Sequence, residues 1–131
     1  MPSEYPLDTN IVVYLFHNQL GVRSQMARHR PALLPFITAA ELLYGAKRST
    51  RPQDNLREYN IFLTKFAILY PNRRTLDIHS DLRLALQMIG KPIPENDLWQ
   101  AAIAIQHDAI LVTNDNHFAA VPGLRTENWA V

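Results

Sequence analysis

Four carboxylates in separate stretches of the chain, Asp8, Glu41, Asp97 and Asp115, have the types and positions to do chemistry. Three of them come just past short apolar runs of β type, at residues 5–7, at Phe36-Ile37 and at Leu111-Val112, and Asp97 opens an apolar helical stripe. If those runs are parallel strands, their carboxyl ends face one way, and the four acids gather in one crevice. Carboxylates held that close raise one another's pKa and resist joint ionisation unless a cation lies among them. Such oxygen ligands suit hard Mg²⁺ or Mn²⁺, which can activate water and stabilise the leaving oxygen in phosphodiester hydrolysis. The chemistry expected is metal-dependent hydrolysis without a side-chain nucleophile.

Each acid also has a local role open to it. Asp8 can cap the first helix, Asp97 can complement a helix dipole, and Asp115 in Thr-Asn-Asp-Asn fits an Asx turn. Thr38-Ala39-Ala40-Glu41 matches a capping box, in which the glutamate reaches back to the threonine N–H. These roles explain the acids one at a time but not their shared rim. Other chemistries have weaker support. The chain has no Cys, which excludes thiol nucleophiles, disulfides and Cys-ligated metals. Its five His lack H-E-x-x-H or any paired ligand spacing and read as surface or capping residues, His117 as a turn residue close to the acids. There is no G-x-S-x-G, and the segment at 45–49 lacks the first glycine of a phosphate loop.

The elements that must position these acids alternate. Residues 5–7, 33–37, 67–70, 109–112 and 124–127 read as strands. Helical stripes run through 11–16, through Ala39, Leu42, Leu43 and Ala46, through Leu56, Tyr59, Leu63 and Phe66, through Ile78, Leu82, Ala85, Leu86 and Ile89, and through Leu98, Ala101, Ala102 and Ile105. Gly90 is the expected C′ residue of the fourth stripe. A basic, polar segment over 23–30 gives way to the second strand at Pro31. Strand–helix alternation predicts an α/β fold, with a parallel sheet covered by helices on both faces.

At 131 residues, with 47% apolar and 19% charged types, the chain is the size and composition of one globular domain. Residues 1–7 have neither the basic start nor the apolar stretch of a secretion signal, and no run of 18 apolar residues occurs, so a cytoplasmic protein is expected. The formal charge is only +1, but outside the four acids 13 basic residues face eight acidic ones. An acidic pit in a basic surface suits a polyanion held by its phosphates. Lys47, Arg48 and Arg51, Arg73 and Arg74, and Arg28, His29 and Arg30 form the basic groups, each equally well read as a solvated face.

Five motifs then stand in a telling order: LDTN at 7–10, ITAAELLYG at 37–45, GKPIPEND at 90–97 with Ala101-Ala102, LVTND at 111–115 with His117-Phe118, and VPGL at 121–124 with Glu127 and Trp129. In these the chain resembles PIN-domain ribonucleases, and within them the VapC-type toxins of bacterial toxin–antitoxin pairs, essentially from end to end. The resemblance implies a single PIN domain over residues 1–131, a three-layer α/β sandwich with a central parallel sheet of four to five strands. It places Asp8, Glu41, Asp97 and Asp115 at the family's acidic metal-binding positions, with Asn10 and Thr113 lining the site. It further implies a Mg²⁺- or Mn²⁺-dependent endoribonuclease acting on structured RNA, often tRNA, as a homodimer silenced by a VapB-type antitoxin. Gln100 is polar where the family usually places an apolar residue, which is expected to disturb helix packing but no metal ligand; Glu95, two residues from Asp97, is the competing acid. The same residues would also serve a non-catalytic RNA- or protein-binding module, or a DNA-directed nuclease of the wider group.

Overall fold

A computed structural model describes residues 3–29 and 32–131, so Arg30 of one basic group and the break at Pro31 lie outside the described residues. The strands are β1 (Tyr5–Pro6), β2 (Ala32–Pro35), β3 (Ile68–Leu69), β4 (Ile110–Val112) and β5 (Arg125–Glu127). The helices are α1 (Thr9–Phe16), α2 (Leu20–Arg28), α3 (Phe36–Lys47), α4 (Pro52–Leu63), α5 (Arg73–Met88) and α6 (Glu95–Gln106), with a 3-10 turn at Asn116–Ala120.

All strand pairings are parallel. β1, β2 and β3 pair in that order, with Tyr5 beside Ala32 and Leu34 beside Ile68, and β4 pairs with β5. A parallel bridge between Leu7 and Val112 joins the two pieces, and the backbone bonds from Ile110 N–H to the Glu4 carbonyl (3.0 Å) and from Asp8 N–H to the Val112 carbonyl (2.9 Å) seat β4 against β1. The chain thus steps outward from β1 to β3, returns across the sheet, and steps outward again on the other side. The direction reverses between β1 and β4, and a crevice opens at the carboxyl ends of the strands at such a reversal. Asp8 follows β1 and Thr113 follows β4 at that point.

Helices cover both faces, because successive strand residues point to opposite sides. Leu111 packs with Leu82 and Leu86 of α5, Leu98, Ala101 and Ala102 of α6, and Phe118. Its neighbour Val112 packs with Leu7, Ile11, Val12, Val22, Leu34, Leu42 and Trp129. The expected three-layer α/β arrangement is therefore present, with a polar rim left where the strands end.

Local departures from expectation have physical causes. The basic stretch after residue 20 is a helix, α2, hidden from the sequence because it buries only Val22 and is capped by Gln19, whose side chain accepts from Val22 N–H at 2.7 Å in place of the usual Ser, Thr, Asp or Asn. β2 stops at Pro35 rather than Ile37, since α3 already begins at Phe36. α4 ends at Leu63, leaving Phe66 in the turn beyond. Gly90 does end α5: at φ 70° it gives its N–H to the Gln87 carbonyl, and Lys91 N–H reaches the Leu86 carbonyl.

Two helical glycines predict opposite outcomes. A Cβ on Gly21 would stand 2.4 Å from the Val131 carbonyl oxygen and 2.8 Å from that of Trp129, so Gly21→Ala must push the C-terminal segment away and should cost about 1–3 kcal/mol. A Cβ on Gly45 meets nothing within 4 Å, so Gly45→Ala in α3 should stabilise by about 0.5–1 kcal/mol. Urea denaturation of both variants checks the pair.

Candidate active site

The site is built around Asp8, whose residue is only 6% exposed. As the N-cap of α1 it accepts from Thr9 N–H on Oδ1 at 2.7 Å, the capping role read from the sequence. Its environment goes further. Oδ1 also accepts from Gln100 Nε2 at 2.9 Å, and Oδ2 accepts from the Thr113 hydroxyl at 2.7 Å. A buried carboxylate must be matched by donors, and here they come from α1, α6 and the end of β4.

Thr9 and Thr113 extend the network to two more acids. The Thr9 hydroxyl donates to Glu41 Oε1 at 2.9 Å, and Thr113 Oγ1 accepts from Asp115 N–H at 3.0 Å. Glu41 is not in a capping box. α3 has Pro35 at its N-cap with no side-chain cap, and the buried Thr38 hydroxyl instead donates to the Leu7 carbonyl at 2.8 Å. That bond docks the first turn of α3 onto the end of β1, and Glu41 faces Thr9 as a result.

Asp97 and Asp115 form the most compact part of the site. Together with His117 they offer one ligand atom each, all within 4.8 Å of one another. His117 Nδ1 stands 3.2 Å from both Asp97 Oδ2 and Asp115 Oδ1. Ionised carboxylates only accept, so without a metal these contacts need a proton on Nδ1, which a bound cation would displace. Asp115 also accepts from His117 N–H at 2.9 Å, so its turn role and its place in the site coexist. Burial raises the Asp97 carboxyl above its ordinary value of 3.8, and the charges of Asp8 and Asp115 push the same way against the hydrogen bond from His117.

This donor set, two carboxylates and an imidazole beside a third, hydrogen-bonded carboxylate, fits a divalent cation, which would relieve the repulsion around Asp97. His117 is the residue that the turn reading undervalued; its position two residues beyond Asp115 was the available signal. Gln100, expected to disturb helix packing, is 1% exposed and bonded to Asp8. It sits one helical turn after Asp97 on the same face, a polar residue inside an apolar stripe. Its Oε1 is buried with no hydrogen-bond partner among the described residues, which costs about 1–3 kcal/mol. Asn10, expected to line the site, is exposed, and no side-chain hydrogen bond joins it to the acids among the described residues.

The competing acid, Glu95, is engaged elsewhere. It lies 2.7 Å from His79 Nε2 and 3.9 Å from Arg83, outside the acidic group. His79 is a buried residue stacked on Trp99 at 3.9 Å, not the surface or capping residue expected. Among the basic groups, Arg51 pairs with Asp54 and Arg73 with Asp77, both in the open, as a solvated face would.

Comparison with known proteins places this arrangement. The PIN domain family matches residues 5–124. Ribonuclease VapC1 of Haemophilus influenzae is 32% identical over 130 residues, 95% of this chain and 97% of the relative. The tRNA(fMet)-specific endonuclease VapC of Shigella flexneri is 30% identical, over 97% of this chain and 98% of that one. Among solved structures, VapBC2 from Rickettsia felis, bound to a DNA fragment from its promoter, superposes with a TM-score of 0.88 at 32% identity, covering 96% of this chain and 98% of that chain.

The raised carboxyl of Asp97 makes a prediction with a definite sign. A carboxyl whose folded-state pKa exceeds its unfolded one holds its proton longer when folded, so between the two values stability falls as pH rises. Above the folded-state pKa the metal-free protein carries that cost in full. Asp97→Asn removes it while leaving an acceptor for His117, so its Tm in EDTA should exceed that of the parent by a few degrees at pH 7, and the difference should vanish in acid below the ordinary carboxylate range. Scanning calorimetry across pH checks both.

Proposed function

The chain belongs to the PIN-domain family and, within it, to the VapC ribonucleases, and we propose that it is a Mg²⁺- or Mn²⁺-dependent endoribonuclease toxin acting on structured RNA. The observation that carries this reading is the convergence of Asp97, Asp115 and His117 within 4.8 Å, with Asp8 hydrogen-bonded beside them.

Asp97, Asp115 and His117 would hold the cation, with Asp8 offering Oδ2 and Glu41 reaching it through water. When bound, the divalent ion supplies hydroxide from coordinated water and offsets charge on the phosphodiester. The chain's own part is to fix the oxygens. Thr9, Gln100 and Thr113 restrain Asp8, Thr9 also restrains Glu41, and the Asp115 carboxylate is anchored by the N–H of His117. The imidazole in the donor set makes Mn²⁺ at least as suitable as Mg²⁺.

A tRNA is the favoured substrate, as the name of the Shigella flexneri relative indicates for that protein. The VapBC likeness supports a VapB-type antitoxin as the silencing partner. Leu76, Leu84, Met88 and Ile89 stand exposed on and just past α5, apolar surface part of which a second copy of the chain would cover in a homodimer. Among the described residues no helix is long and apolar enough to cross a membrane, and the proposed substrate places the work in the cytoplasm.

Incubated with tRNA and Mn²⁺ or Mg²⁺, the purified protein should yield discrete fragments, and EDTA should stop cleavage reversibly. Asp97→Asn should lower the rate by more than about 100-fold, beyond the 10–100-fold typical of groups that merely support a metal ligand. Cleavage that persists undiminished in EDTA, or in the variant, counts against the assignment. Co-expression with a cognate antitoxin should suppress the same activity.

A further inference from the structure

We propose that Gln100 is a positioning residue that selects which oxygen of Asp8 is open to the metal, an inference that rests on the metal-dependent nuclease reading above. A carboxylate has about four acceptor sites, two on each oxygen. On Asp8, Thr9 N–H and Gln100 Nε2 take both sites of Oδ1, and the Thr113 hydroxyl takes one of Oδ2. Among the described residues one site is left, and it is on Oδ2. Without the Gln100 amide, Oδ1 has a second open site, and the carboxylate loses the restraint from α6 that decides between the two.

The orientation of the Gln100 amide is itself settled by this contact. Turned over, it would set Oε1 against Oδ1 of Asp8, two acceptors facing each other, so Nε2 must face the carboxylate. The consequence is the unpartnered Oε1, in a residue that is 1% exposed. An apolar side chain of similar shape would pack there without that cost. The amide therefore serves the contact with Asp8, not the stability of the helix. Its position on α6, one turn after Asp97, also ties the two carboxylates to a single rigid element.

The test replaces Gln100 by near-isosteric Met in the full chain, with Gln100→Leu as a second variant should the first fail to fold. Three quantities are read: Tm without metal, the Mn²⁺ concentration that half-saturates the Tm increase, and kcat and KM on tRNA. Expected for Gln100→Met is a metal-free Tm within a few degrees of the parent, because the donor lost from Asp8 and the unpartnered Oε1 removed are of similar cost, together with a half-saturating Mn²⁺ concentration raised about 10-fold and kcat reduced about 10- to 100-fold at unchanged KM. A packing role predicts the reverse, with both metal response and kcat restored by a side chain that fills the space. Parental kcat and Mn²⁺ response in a folded variant overturn the proposal while leaving the nuclease reading intact. If the parent cleaves no RNA, that reading fails by itself, and the Mn²⁺ titration still decides: a shifted midpoint supports the role of Gln100, an equal midpoint or no response to Mn²⁺ overturns it.

Discussion

A carboxylate taken out of water must be given donors, and this requirement at Asp8 organises the site. The three groups that satisfy it lie next to it in sequence, 92 residues away and 105 residues away. Each donor belongs to a different element, so the bonds that keep Asp8 comfortable also fix the relative placement of α1, α6 and the end of β4. The same threonines carry the constraint outward to Glu41 and Asp115. The acidic centre is thus less a collection of ligands than one connected network of hydrogen bonds, open on the side where Asp97, Asp115 and His117 meet.

That network holds charges which repel. Asp97 is pushed up by burial and by the charges of Asp8 and Asp115, and His117, which stands against it, is largely exposed. The fold tolerates this strain because the site lies at the reversal between β1 and β4, where strand ends leave a polar rim that neither hydrophobic layer can cover. Stability is supplied on either side, by the packing of Leu111 on one face of the sheet and Val112 on the other.

Much of this was legible in the sequence because the relevant signals are local. Apolar runs of β type followed by an acid marked the ends of β1 and β4, and the one-face stripe after Asp97 marked α6. The motifs around the four acids were sufficient to identify the family. What could not be read was decided by tertiary contact. Thr38 and Glu41 fit a capping box by spacing, but the hydroxyl found the Leu7 carbonyl, 31 residues away, and the glutamate found Thr9. α2 lacked a standard cap and buries a single residue, so its sequence resembled a solvated loop. Gln100 and His117 were visible as residue types, yet their value lies in distances to Asp8, Asp97 and Asp115 that only the folded chain defines.

The separations across the Asp8 network also bear on how the protein is made. Synthesis proceeds from the N-terminus, and domains complete themselves as their last elements emerge. A nascent chain that has exposed α1 through α5 still lacks Gln100 and Thr113, and the core around Leu7 still lacks Trp129. The acidic centre therefore cannot close before α6 and the end of β4 have emerged, so a nascent polypeptide that stops short of Thr113 has no assembled site.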